Sequence, residues 1–131
     1  MRRRYAILDD NQQALEERLS WLQSALPPLV RDRVAAVMVI GSVAQGRARD
    51  LSDIDLVMVL RDERPTREHY RWWDHTVSEQ VASGARYPIQ PLFVARTALD
   101  TDEPHLRTAL AAGFHLWDPE HIFHDESESR A

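Results

Sequence analysis

Leucines at positions 15, 19, 22 and 26 recur at steps of four, three and four. That spacing lays apolar side chains along one face of a helix. It predicts a helix over 9–26, with Asp9, Asp10 or Asn11 as its cap and Pro27 and Pro28 as its stop. Val34 to Ile40, VAAVMVI, is apolar throughout and predicts a buried strand ending at Gly41. Ile54 to Leu60, IDLVMVL, predicts a second strand. A charged loop, RDERPTRE, leads into a helix whose inner face carries Tyr70, Trp73, Val77 and Val81. Gly84 lies just past that helix, where a left-handed residue is favoured. The run YPIQPLFVA at 87–95 predicts a third strand, and Pro88 and Pro91 each remove a ladder donor, which assigns it to an edge or a bulge. Pro104 to Ala112 predicts another helix, closed by Gly113 and followed by a short strand, FHLW. The alternation gives an α+β fold: a small mixed sheet with helices packed mainly on one face. A single domain over 1–131 is expected, with a disordered acidic tail from about 125 to 131.

Composition narrows the classes. The chain has 131 residues, 44% hydrophobic and 28% charged, which suits one globular domain with a real core. No apolar run approaches the roughly 18 residues of a membrane span, and MRRRYAILDDNQQ lacks the apolar segment of a signal peptide. The expected location is the cytoplasm, with no membrane partner. The absence of cysteine excludes disulfides, thiolate zinc sites and cysteine nucleophiles. A net charge of −5 argues against nucleic acid as an electrostatically steered partner. His115, His121 and His124 lack the accompanying ligands of a zinc site, and His69 and His75 read as surface residues. Trp72 and Trp73 are adjacent on a helix and cannot both face one core. One of them is expected at a surface or interface.

Two of the four glycines fall in one stretch, GSVAQGRARDLSDID, at 41–55. Asp53 and Asp55 are two residues apart at the start of a strand, so their carboxylates share a face about 6–7 Å apart. Ile54 between them points into the core. Paired hard oxygen ligands suit magnesium, which fills its other positions with water and phosphate oxygens. Gly41 lets backbone amides approach a ligand closely, and Ser42 adds a hydroxyl. A helical turn starting at Ser42 would aim N–H groups at an anion. Gly46 lets the chain reverse, and Arg47 and Arg49 carry guanidinium groups suited to phosphate oxygens. Alone, a Gly-Ser turn is commonly just a turn, and an Asp-x-Asp pair commonly a solvated strand end.

Together, the strand, Gly-Ser, ten intervening residues, Asp-x-Asp and second strand resemble the polymerase β-like nucleotidyltransferase superfamily. GSVAQG with SDIDLVMV is especially similar to its minimal nucleotidyltransferase branch. The resemblance covers 36–60 and extends more loosely to the closing AAGFHLWD. It implies that Gly41 and Ser42 hold the β- and γ-phosphates of a nucleoside triphosphate, with ATP as substrate. It further implies that Asp53 and Asp55 are catalytic residues that bind Mg2+. A hydroxyl would then attack the α-phosphate and release pyrophosphate. Active members carry a third carboxylate on a later strand. The matching strand here, YPIQPLFV, has no acidic residue; Gln90 stands nearest the place, and an amide is not a base near neutral pH. Asp74, Glu79, Asp100 and Asp118 lie off that strand. The chain is also short for the helical acceptor domain of drug- and tRNA-modifying relatives, so the resemblance points to a helical HEPN-type partner protein, as antitoxin to toxin. Three readings stay open: AMP transfer to a partner hydroxyl, an inactive module that neutralises the partner by contact, and transfer to a small molecule.

Overall fold

The computed structural model describes residues 10–44, 53–81, 88–100 and 102–123. Helix α1 (Asp10–Ala25) presents the leucine stripe, and Leu15, Leu19, Leu22 and Leu26 are all buried. α1 ends at Ala25, just ahead of Pro27 and Pro28, as expected; the two prolines then open a further short helix, α2 (Pro27–Val30). Proline in a first turn forfeits no helical hydrogen bond, because those amides have no intrahelical acceptor. Strand β1 (Val34–Ile40) follows, then one helical turn, α3 (Gly41–Ala44), and strand β2 (Ile54–Leu60). Beyond lie α4 (Arg67–Trp72), a π-helical turn (Trp73–Val77) and α5 (Ser78–Val81). The chain closes with β3 (Ile89–Val94), a 3-10 turn (Arg96–Asp100), α6 (Pro104–Ala112) and β4 (Phe114–Trp117).

The sheet runs β3-β2-β1-β4. β1 pairs antiparallel with β2 and β4, while β2 and β3 are parallel. Two apolar clusters sandwich it. Ile54, Leu56, Met58 and Leu60 face the larger one with α1, α2 and the α4–α5 helix. Val57 and Val59 face the smaller one with Ala36, Met38 and Val94. A bulge between Val34 and Ala36 lets Val34 join the larger cluster while Ala35 and Ala36 join the smaller. The smaller cluster is sealed by Ile122 and Phe123, whose amides donate to the Asp118 carboxylate at 2.7 and 3.1 Å. Among the described residues no helix is long and apolar enough to cross a membrane.

The π-helical turn keeps one face inward over four turns. Steps of four drift around an α-helix, but a π turn takes about one residue more and cancels the drift. His69, Trp73, Val77 and Val81 are therefore all buried. His69 takes the inner position expected for Tyr70, and the expectation that it lies at the surface is wrong: it is 2% exposed. Its Nδ1 accepts from the Thr66 amide at 3.0 Å, closing the cap of α4, and its Nε2 lies 3.4 Å from Glu63 Oε1. His75 is exposed, as expected. Of the adjacent tryptophans, Trp73 is buried; Trp72 is half-buried, with the Arg33 guanidinium 4.9 Å above its ring. Arg33 is itself held by Glu68 at 2.6 and 3.1 Å and by Glu63 at 3.4 Å. Those contacts hold both glutamates below the usual carboxylate range.

β3 is an edge strand, as its prolines foretold. The Phe93 amide donates to the Tyr70 hydroxyl at 3.2 Å. Successive amides alternate between the two sides of a strand, so the Pro91 nitrogen shares that outer side and has no hydrogen to offer.

Candidate functional site

β1 ends at Ile40, whose partner across the ladder is Asp55. The chain leaves β1 through Gly41 at φ +75°, the left-handed region that favours glycine, and enters α3, anchored by buried Val43 and Ala44. It returns at Asp53, immediately before β2. Ile54 is fully buried on the opposite face, and its amide donates to Pro88 O at 2.8 Å, tying the start of β2 to the start of β3. Asp53 and Asp55 are both half-buried and belong to the face of the smaller cluster, away from α1. On β3 the partner of Asp55 is Gln90, an exposed residue. Ile40, Asp55 and Gln90 thus form one row across three strands.

The structure brings Gly41, Asp53, Asp55 and Gln90 together at one end of the sheet. Gly46, Arg47 and Arg49 lie outside the described residues, as do the side chain of Ser42, Gly84 and the expected acidic tail. Asp74, Glu79 and Asp100 are exposed elsewhere, and Asp118 is occupied as a cap. Among the described residues no third acidic or histidine side chain joins the pair to make a metal-binding group.

Partial burial, and then the charge of Asp53, push the Asp55 carboxyl above its ordinary value of 3.8. No described arginine or histidine offsets the two negative charges. A hard divalent cation would be welcome here: two half-exposed carboxylates leave most of its shell for water and phosphate. The donor set fits magnesium on that ground. A raised carboxyl value also fixes a sign. The folded state holds the proton more tightly than the unfolded chain, so stability is lost as pH rises from 3.8 through the raised value. In metal-free protein, Asp55→Asn is expected to be the more stable form at neutral pH, with the advantage vanishing as pH falls below the ordinary aspartate range. Chemical denaturation across a pH series in the presence of a chelator checks this.

Residues 29–85 match the family model described as Polymerase beta, Nucleotidyltransferase. That span holds the Gly41 turn and both aspartates. The match covers less than half of the chain. No curated protein matches it in sequence. Solved structures share the nucleotidyltransferase fold at low identity. A putative nucleotidyltransferase from Sulfolobus solfataricus aligns with TM-score 0.56 and 16% identity, over 91% of this chain and 96% of that one. A toxin-antitoxin structure with AMP-PNP aligns with TM-score 0.51 and 20% identity, over 75% and 74%. A mutant of the toxin-antitoxin pair MntA-HpeT aligns at 0.50 and 18%, over the same shares.

Sequence reasoning missed two features of this region. The close approach of the Asp55 carboxylate to Gly41 depends on the β1–β2 register. The buried His69 had a faint signal in Thr66-x-x-His69, the spacing of a capping pair.

Proposed function

We propose that the chain is a magnesium-dependent nucleotidyltransferase of the minimal type, transferring AMP from ATP to a hydroxyl of a HEPN-type helical partner protein in the cytoplasm. The observation that carries this reading is the Asp53–Asp55 pair, set beside the Gly41 turn within the family match. Asp53 and Asp55 would hold Mg2+, which when bound neutralises phosphate charge and orients the triphosphate. Gly41 and Ser42 would hold the β- and γ-phosphates, with Gly46, Arg47 and Arg49 from the same loop. The acceptor oxygen bonds to the α-phosphorus as the bond to pyrophosphate breaks, and the acceptor's proton leaves to solvent, because Gln90 cannot take it. The protein's own share is positioning and charge compensation. The partner and nucleotide assignments draw support from similar structures that are toxin-antitoxin assemblies, one of them with AMP-PNP.

A second reading is favoured by one observation: the residue paired with Asp55 is an amide, not an acid. A nucleotidyltransferase fold without a base can serve as a contact-only neutraliser of its partner. Radiolabelled ATP, the partner and either native protein or Gln90→Glu distinguish the two. Weak native labelling of the partner is expected, with a gain in the variant, since a well-placed base contributes about 10²–10⁴-fold. A silent native protein rescued by Gln90→Glu supports the neutraliser. Strong native labelling that the variant lowers shows a two-carboxylate enzyme. No labelling by either form rejects AMP transfer.

A further inference from the structure

Gly41 was read from sequence as a residue that lets phosphate approach the backbone. Its surroundings indicate a different demand. A Cβ built on Gly41 would point at Asp55 and overlap its Oδ2, with the carboxyl carbon 3.4 Å and Asp55 Cβ 3.5 Å away. Asp55 thus lays its carboxylate over the bare α-carbon of the turn. We infer that Gly41 is a positioning residue for Asp55, whose missing side chain leaves the space in which the carboxylate is held for a divalent cation. This rests on the metal-binding role proposed above.

The overlap involves the far end of a short side chain, while Asp55 Cβ would stay in ordinary contact. An added methyl group at position 41 therefore displaces the carboxylate by rotation and leaves the strand in place. The backbone imposes a separate demand, since φ is +75°. Asparagine tolerates left-handed backbone far better than alanine does, yet it carries the same Cβ. The two demands can therefore be separated by comparing Gly41→Ala with Gly41→Asn.

Two measurements on the full chain test this. In metal-free crystal structures, both variants are expected to show the Asp55 carboxylate swung off the turn, with β1 and β2 unchanged. An Asp55 carboxylate in its native place in either variant would overturn the inference, whatever the metal does. In calorimetric titration with Mn2+ alone, both variants are expected to lose affinity at least tenfold relative to the native protein, while Gly41→Asn recovers thermal stability lost in Gly41→Ala. Recovery of both stability and Mn2+ affinity in Gly41→Asn would show that only the backbone angle matters, and would also overturn it. Failure of the native protein to bind Mn2+ would instead reject the metal role of the aspartates, leaving the crystallographic comparison to decide the steric claim.

Discussion

Replacing Asp53 and Asp55 together by asparagine is expected to abolish the divalent-ion dependence of ATP binding while leaving the fold intact. Both carboxylates sit where β2 begins, half exposed, so their isosteric amides open no cavity. The substitution relieves the cost of burying the Asp55 charge and removes the lesser repulsion from Asp53. Loss of nucleotide transfer should reach at least the roughly 10²–10³-fold that follows removal of one charge-stabilising group in an active site. Calorimetry with and without Mg2+ gives the binding result, and circular dichroism the folding control. ATP binding that ignores metal in the native protein and persists unchanged in the double variant would remove the aspartates from the site.

Phe93→Ala is expected to be the most damaging single change to stability. Phe93 is 2% exposed, with the rings of Tyr70, His69 and Trp72 centred 5.0, 5.7 and 6.1 Å from its own. Truncating a buried phenylalanine costs about 3–5 kcal/mol, a large part of the 5–15 kcal/mol that keeps a domain folded. Its neighbour on the opposite face, Leu92, is 41% exposed, and Leu92→Ala should change stability by no more than about 0.5 kcal/mol. Urea denaturation of the two variants measures the contrast. Equal effects would mean that β3 does not present Phe93 to the core.

Much of this molecule is legible along the chain because burial imposes a period. The leucine stripe of α1 and the unbroken apolar runs of β1 and β2 follow directly from what each element must hide. The shared face of Asp53 and Asp55 follows from strand alternation, with Ile54 buried between them. What depends on pairing is not legible. Only the family resemblance pointed to Gln90 as the residue nearest the aspartates, and that β2 and β3 run parallel is decided by tertiary packing and not by any spacing within either strand. The same holds for the β1–β2 register that brings Gly41 against Asp55. His69 departs for another reason. A histidine is ordinarily a surface residue on a helix, but here its ring caps the backbone at Thr66 and packs at a tilt against Phe93, so burial is compensated at one nitrogen. The short 3-10 turn at Arg96–Asp100 has no apolar period to announce it.

The outer side of β3 has a consequence for how the protein can be kept and how it can be joined. An approaching strand finds a proline nitrogen at one position and, two residues on, an amide already engaged by a tyrosine hydroxyl. Sheets of separate molecules fuse by exchanging backbone hydrogen bonds along such margins. On this flank two successive donors for that exchange are missing or engaged, so copies at high concentration find a poorer template there for growth into fibres. A protein that grips the flank gains fewer backbone hydrogen bonds there, which shifts the weight of attachment toward the side chains and makes it more a matter of chemical identity than of generic backbone adhesion.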